Sequence, residues 1–311
     1  MHVVLLAGGL GGARLAPALA REIGPGSLDV IANVGDDLEW MGLKVCPDLD
    51  SIAYALAGLW DGVRGWGRRG ETFAVRDGLR GLGAAVWFGI GDRDLALHLE
   101  RARMLGEGRS LTEVTADLAR RLGVRGAGLL PASDRPSPTR LRLADGRRLD
   151  FQEWYVREHA QPVVAETVPA GGAAAEAALG ALARADAVVL APSNPLTSIG
   201  PILALDGMEA AMRRVPRRLA VSPVVCARPS ASASIEHHAR ARRRVLEAAG
   251  LADRPASIAV RYRNLVDAFV LDESDAGEVE AIARLGLRAV TADILDESRL
   301  AGALGALIGR T

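Results

Sequence analysis

Two glycine- and aspartate-rich clusters, each set directly after a short apolar run, constrain this chain more than any other feature: LLAGGLGGAR at 5–14 and NVGDDLEWMGLKVCPDLD at 33–50. Residues 3–6 and 30–34 read as buried parallel strands, and the amphipathic stretch 15–23 reads as the helical crossover between them. That order predicts an open α/β sheet, whose ligands bind beyond the carboxyl ends of the strands. Glycines at those ends let the backbone approach a diphosphate closely, and N–H groups opening a helix favour anions. Aspartates nearby suit a divalent cation shared with the same phosphate oxygens. The pattern points to diphosphate chemistry.

The 311 residues are enough for one large core carrying an insertion. The expected fold class is α/β, Rossmann-like, with three α/β/α layers and a mostly parallel sheet. Residues 1–93 and 160–311 are read as the core, and 94–159 as a helical and hairpin insertion or lid. Apolar spacing at 94–105 and 111–122, interrupted by Gly106-Glu107-Gly108, predicts an α-hairpin, and 140–143 with 149–151 flank an Asp145-Gly146 hairpin signal. Further strands are expected at 84–88, 187–191, 218–221, 257–260, 268–271 and 288–291, with a Pro- and Ser-rich surface loop at 227–234. Asp50 fits the N-cap of a helix over 51–59.

Basic and acidic residues balance at 38 each, so no overall field recruits nucleic acid or an anionic membrane, and any anion site must be local. Cys46 and Cys226 stand far apart and form neither a disulfide framework nor a zinc site. No apolar run approaches the ~18 residues of a membrane span. A cytoplasmic protein acting on small molecules is expected, with a homodimer as the default assembly.

The glycine loop lacks the GxxxxGK[ST] of a phosphate-binding ATPase loop, and Arg14 stands where a dinucleotide fingerprint needs its third glycine. Arginine there would spoil close helix–sheet packing but suits an anion, so Gly9, Gly11, Gly12 and Arg14 are read as a phosphate cradle rather than an NAD site. Among the acids Asp36, Asp37, Glu39, Asp48 and Asp50, the pair Asp48 and Asp50 is the metal candidate, for Mg²⁺. Asp36 or Asp37 is the candidate base. In Gly91-Asp92-Arg93-Asp94 one acid is expected to cap the following helix, while Arg93 turns its fork toward the ligand crevice, with His98 one turn behind. Ser193 and Asn194, in a proline-bounded loop after a strand, offer donors to phosphate or ribose oxygens. Trp66, between two glycines, is placed to stack on a flat ring.

Ten blocks in order, LAGGLGGAR, NVGDDLEWMGLKVCPDLDS, GWG, ETF, WFGIGDRDLALH, SLTEVT, LLPASD, FQEWYVR, APSNPLTSIGPIL and VSPVV, run almost from end to end. Through them the chain resembles the 2-phospho-L-lactate transferase family of coenzyme F-420 biosynthesis. The resemblance implies Mg²⁺-dependent transfer of a phospholactyl, phosphoenolpyruvyl or related three-carbon phospho-acid group from a guanosine diphosphate-linked donor to the deazaflavin Fo, releasing GMP. It implies deazaflavin contacts at Asp50 and Arg93, metal carboxylates at Asp48 and Asp50, and donor contacts at Gly9, Gly11, Gly12, Ser193 and Asn194. The chain departs from the family after VSPVV, where Cys226-Ala227-Arg228-Pro229 and a Ser/Ala run replace the usual glycines and lysine. The alternative reading is a non-catalytic nucleotide-sugar-binding regulator of the related gluconeogenesis-factor-like group.

Overall fold

The computed structural model describes residues 1–226 and 233–309. Seven strands form the main sheet: β1 (Val3–Ala7), β2 (Leu28–Ala32), β3 (Ala127–Pro131), β4 (Ala187–Leu190), β5 (Arg217–Val221), β6 (Ala268–Asp272) and β7 (Arg288–Ala292). Their spatial order is 3-2-1-4-5-6-7, and every pairing is parallel. In this doubly wound order the winding reverses between β1 and β4, opening a crevice at their carboxyl ends. VVLLA, AVVL and AFVLD are buried along their whole length, as strands covered on both faces must be.

The flanking helices include α1 (Gly9–Ile23), α2 (Pro47–Leu56), α3 (Ala74–Gly81), α4 (Asp92–Gly106), α5 (Leu111–Leu122), α6 (Ala233–Ala248), α7 (Pro255–Tyr262) and α8 (Glu297–Gly309). Because side chains alternate along a strand, β1 feeds two cores. Val3, Leu5 and Ala7 pack with Leu19 of α1, Ile52 of α2 and Leu304 of α8. Val4 and Leu6 pack on the other face with Met208, Ile258 and Ile282. A separate three-stranded antiparallel sheet has Thr139–Leu143 between Arg148–Asp150 and Val164–Pro169, and Ala241 and Val245 of α6 cover it. Among the described residues no helix is long and apolar enough to cross a membrane.

The α/β class and the parallel sheet are as expected, and the α-hairpin is present as α4 and α5. Ser110 and Glu113 close a reciprocal cap on α5, and Gly123 ends it in the left-handed region. The expected insertion at 94–159 needs correction. α5 places Leu111 in the main core and β3 pairs with β2 at the edge of the main sheet, so the small sheet is the part that stands apart. Residues 84–88 form no strand: Val86 and Phe88 pack on Trp40 and Ile90 instead of pairing their backbone. Residues 257–260 lie inside α7, where Ile258, Ala259 and Tyr262 are buried at helical spacing. A short apolar run does not separate strand from helix by periodicity, and here Pro255 at the first turn favours the helix. The loop expected at 227–234 falls mostly outside the described residues.

Candidate active site

The crevice between β1 and β4 is built by a latch between two loops. The Ser193 hydroxyl donates to the Gly8 carbonyl at 2.6 Å and accepts from the Gly8 N–H at 3.2 Å, joining the turn after β4 to the turn after β1. Asn194 caps the helical turn Pro195–Ile199, its Oδ1 accepting from Leu196 N at 2.9 Å and Thr197 N at 3.3 Å. Both residues shape the loop. A Cβ on Gly11 would sit 2.0 Å from the Pro192 carbonyl oxygen, and one on Gly12 would sit 2.7 Å from the Ala7 Cβ. These two glycines therefore permit close approach of backbone to backbone instead of lining the cradle. Gly9 differs: its φ is +58° and nothing lies within 4 Å of the Cβ position, so its face is open to a ligand.

A prediction follows for the loop. Gly11→Ala should cost about 3 kcal/mol, since a carbonyl cannot yield as a side chain can, whereas Gly9→Ala should cost only the left-handed strain of about 1–2 kcal/mol. Urea denaturation of the two variants checks this ranking; equal losses would refute it.

Beside Gly9 lies an acid cluster organised by Asn33, at the end of β2. The Asn33 amide nitrogen donates to Asp36 Oδ1 at 3.1 Å, Asp48 Oδ2 at 2.9 Å and the Thr197 carbonyl at 3.2 Å, while its Oδ1 accepts from Gly35 N at 2.8 Å. Asp48 Oδ1 accepts from the Gly9 N–H at 2.7 Å. Burial, then the Asp48 charge, pushes the Asp36 carboxyl well above the usual range. Burial lifts Asp48 to about 6 against the Asn33 and Gly9 hydrogen bonds. Asp37 is raised by burial and drawn back by Lys44, whose ammonium is 2.9 Å away; its second oxygen is buried without a hydrogen-bond partner. Two buried carboxylates converging on one amide, with hard oxygen donors and mutual repulsion, are the donor set a divalent cation such as Mg²⁺ satisfies.

The two acids of the expected metal pair face different partners. Asp48 and Asp50 both lie in the first turn of α2, whose N-cap is Cys46, so Asp50 caps nothing. Residues two apart on a helix point to opposite sides. Asp48 turns to Asn33, and Asp50 turns to α4, where the Arg101 guanidinium grips both its oxygens, one at 3.1 Å. Around that pair His98 Nδ1 lies 3.1 Å from Arg101 Nη1, His98 Nε2 lies 3.5 Å from Asp94, and the Tyr54 hydroxyl donates to Asp94 at 2.6 Å. Ligand atoms of Asp50, Asp94 and His98 lie within 4.8 Å of one another, but the guanidinium already balances Asp50.

The remaining expected residues are dispersed. Arg14 pairs with Glu297 at the start of α8, so its charge serves the α1–α8 contact instead of the cradle. Arg93 is exposed on the first turn of α4, where Glu71 accepts from its backbone N–H at 2.8 Å and from Asp94 N at 2.9 Å. Asp92 caps α3, not α4, accepting from Ala74 N at 2.9 Å and Val75 N at 3.0 Å. Trp66 is 41% exposed, with the Arg64 guanidinium 5.0 Å from its ring centroid. Asn33, Glu71 and Arg101 escaped sequence reading. Asn33 alone had a signal, as the polar residue inside the otherwise apolar run 30–34.

Comparison with known proteins agrees with this architecture. The family model described as 2-phospho-L-lactate transferase CofD matches residues 3–303. Curated relatives named phosphoenolpyruvate transferase include those of Kitasatospora aureofaciens, 38% identical over 92% of this chain and 90% of the relative, and Streptomyces avermitilis, 40% identical over 93% and 90%. The one from Thermobifida fusca is 38% identical over 99% of this chain and 97% of its own. A crystal structure of a UPF0052-family protein from Bacillus halodurans superposes over 99% of both chains with a TM-score of 0.61 at 17% identity, a likeness of fold alone.

Proposed function

The chain belongs to the 2-phospho-L-lactate transferase CofD family, and from that premise we propose that it transfers a phospho-linked three-carbon acid from a guanosine diphosphate-linked donor to the ribityl hydroxyl of the deazaflavin Fo, releasing GMP. The relatives' shared name, phosphoenolpyruvate transferase, supports the phosphoenolpyruvyl group as the one transferred. The observation that carries the reading is the Asp36–Asn33–Asp48 cluster set against the open backbone of Gly9, at the winding reversal of the sheet. An anionic diphosphate meets a bare acid cluster only with a cation between them.

Asp36 and Asp48 would hold Mg²⁺, which when bound neutralises charge on the donor's diphosphate. Gly9 lets the donor's phosphates approach the backbone, and the Ser193 latch keeps the two loops in register. The acceptor hydroxyl oxygen attacks the phosphorus that bears the three-carbon acid, in line with the bond to the GMP phosphate, which breaks. Asp37, with one unpartnered oxygen and a carboxyl raised by burial, is suited to take the hydroxyl proton. Trp66 offers a ring face for the deazaflavin.

Mass spectrometry tests the reading. Protein incubated with Fo, Mg²⁺ and donor generated in place from GTP and phosphoenolpyruvate by the matching guanylyltransferase should yield Fo carrying the phosphoenolpyruvyl group, together with GMP. No adduct with phosphoenolpyruvate, phospholactate or phosphoglycerate, and no binding of Fo, would overturn it.

A further inference from the structure

Phosphoryl transfer develops charge on the oxygens of the phosphorus under attack, and cations beside them stabilise it. The two arginines that the sequence offers for this task stand elsewhere: Arg14 is paired with Glu297, and Arg93 is exposed on the first turn of α4. Among the described residues Lys44 is the one basic side chain that pairs with the acid loop 33–37. Asp37, its partner, follows Asp36, which shares the Asn33 amide with Asp48. A divalent ion balances Asp36 and Asp48 and leaves the third carboxylate and the phosphates in need of another cation.

Local structure aims Lys44 at that loop. Leu38–Trp40 and Leu43–Val45 form an antiparallel pair with Glu39 opposite Lys44. Met41 and Gly42 join them with φ of +50° and +77°, the backbone of a tight two-residue hairpin turn. The Arg101 guanidinium holds the Lys44 carbonyl at 3.4 Å and ties the hairpin to α4. Cross-strand neighbours lie within reach of one another, yet the ammonium leaves the exposed Glu39 and lies 2.9 Å from Asp37 Oδ2. That oxygen also accepts from the Cys46 thiol at 3.3 Å, while Asp37 Oδ1 is buried without a hydrogen-bond partner. Burial opposes the ammonium's charge and the Asp37 carboxylate favours it, and on balance Lys44 is held above its usual range. The Lys44 side chain is 26% exposed, so a ligand can reach it, and an ammonium has three donors, of which Asp37 takes one.

We propose that Lys44 is a catalytic residue whose ammonium, anchored on Asp37 by one N–H, donates another to an oxygen of the donor's distal phosphate, the one under attack; the assignment rests on the transferase reading. In that reading Asp37 Oδ1 takes the proton of the attacking hydroxyl, so the attacked phosphorus lies beside Asp37. A cation on the other oxygen of Asp37 then meets the oxygens of that phosphate. No bond is made or broken at Lys44, which keeps its proton and offsets charge.

GDP carries the distal phosphate and GMP lacks it, so the two nucleotides isolate the contact. Calorimetry with Mg²⁺ gives Kd for each in wild type, Lys44→Met, Lys44→Arg, Asp37→Asn and Asp37→Asn/Lys44→Met. The double variant removes both charges and strands no buried carboxylate. Loss of a charge-assisted hydrogen bond should raise the GDP Kd about 10- to 100-fold in Lys44→Met, and by a similar factor between Asp37→Asn and the double variant. Lys44→Arg should recover part of the loss, and the GMP Kd should stay within twofold throughout. With the phosphoenolpyruvyl donor generated in place, kcat should fall about 100- to 1,000-fold in Lys44→Met. An unchanged GDP Kd, GDP and GMP Kd rising by the same factor, or an effect that vanishes in the Asp37→Asn background would overturn the assignment. Wild type that binds GDP yet forms no adduct would overturn the transferase reading instead, and the comparison of GDP with GMP would still decide whether Lys44 holds a phosphate.

Discussion

Asp48→Asn should lower transfer by about 100- to 1,000-fold, the range expected when a group that stabilises transition-state charge is removed, while the protein still folds. Asp48 touches both the glycine loop and Asn33. An amide there keeps the size but adds an N–H where two donors already point, and takes a charge from the cation site. The same change removes a pH dependence. Burial lifts the Asp48 carboxyl to about 6. A raised carboxyl contributes stability that is complete below its unfolded value and is lost as pH rises through the folded one. Without divalent cation the wild type should therefore lose stability between about pH 4 and pH 6, by roughly 3 kcal/mol from this group, and Asp36, also raised, acts in the same sense. Mg²⁺ should restore stability in wild type by binding the folded state, and not in the variant. Turnover within tenfold of wild type, or an equal rise in melting temperature with Mg²⁺ in both proteins, would remove Asp48 from the metal site.

Arg101→Met should destabilise the fold by about 3–5 kcal/mol, because it leaves the Asp50 carboxylate buried between α2 and α4 with no counter-charge. The guanidinium also contacts His98 and the Lys44 carbonyl, so the loss spreads to the loop that carries Asp37. Asp50→Asn/Arg101→Met should recover a large part of the loss, since removing both charges costs less than stranding one. Urea unfolding of the two single variants and the pair gives the coupling directly, and a single-variant loss under about 1 kcal/mol would show the pair to be dispensable. The cycle also decides how an effect at Asp50 is read. Lost activity accompanied by lost stability marks a residue that holds α2 in place, whereas lost activity at full stability marks a contact with the deazaflavin.

Much of the architecture was legible because it depends on local rules. The strand, glycine turn and helix at 3–23 need only apolar runs and φ freedom, and the hairpin about Asp145-Gly146 and the capped α5 follow from turn and cap chemistry. Misreadings came where neighbours decide. Residues 257–260 are apolar in either conformation, and what turned them into α7 was the core they pack against. Residues 84–88 found apolar partners in Trp40 and Ile90 and no strand to pair with. Asp92 obeyed the capping rule but served the helix before it.

The sequence by itself determined a parallel α/β sheet with glycines and acids at its strand ends, and the family, because order, alternation and turn residues are carried by neighbours along the chain. Only the tertiary structure decided which acids share a site. Asp48 and Asp50 are two residues apart and face different partners, while Asp36 and Asn33 in the loop after β2 meet Asp48 on the first turn of α2. Helix phase and the packing of α2 between β2 and α4 set that choice, and a side chain's direction in space is fixed by what the rest of the chain places around it.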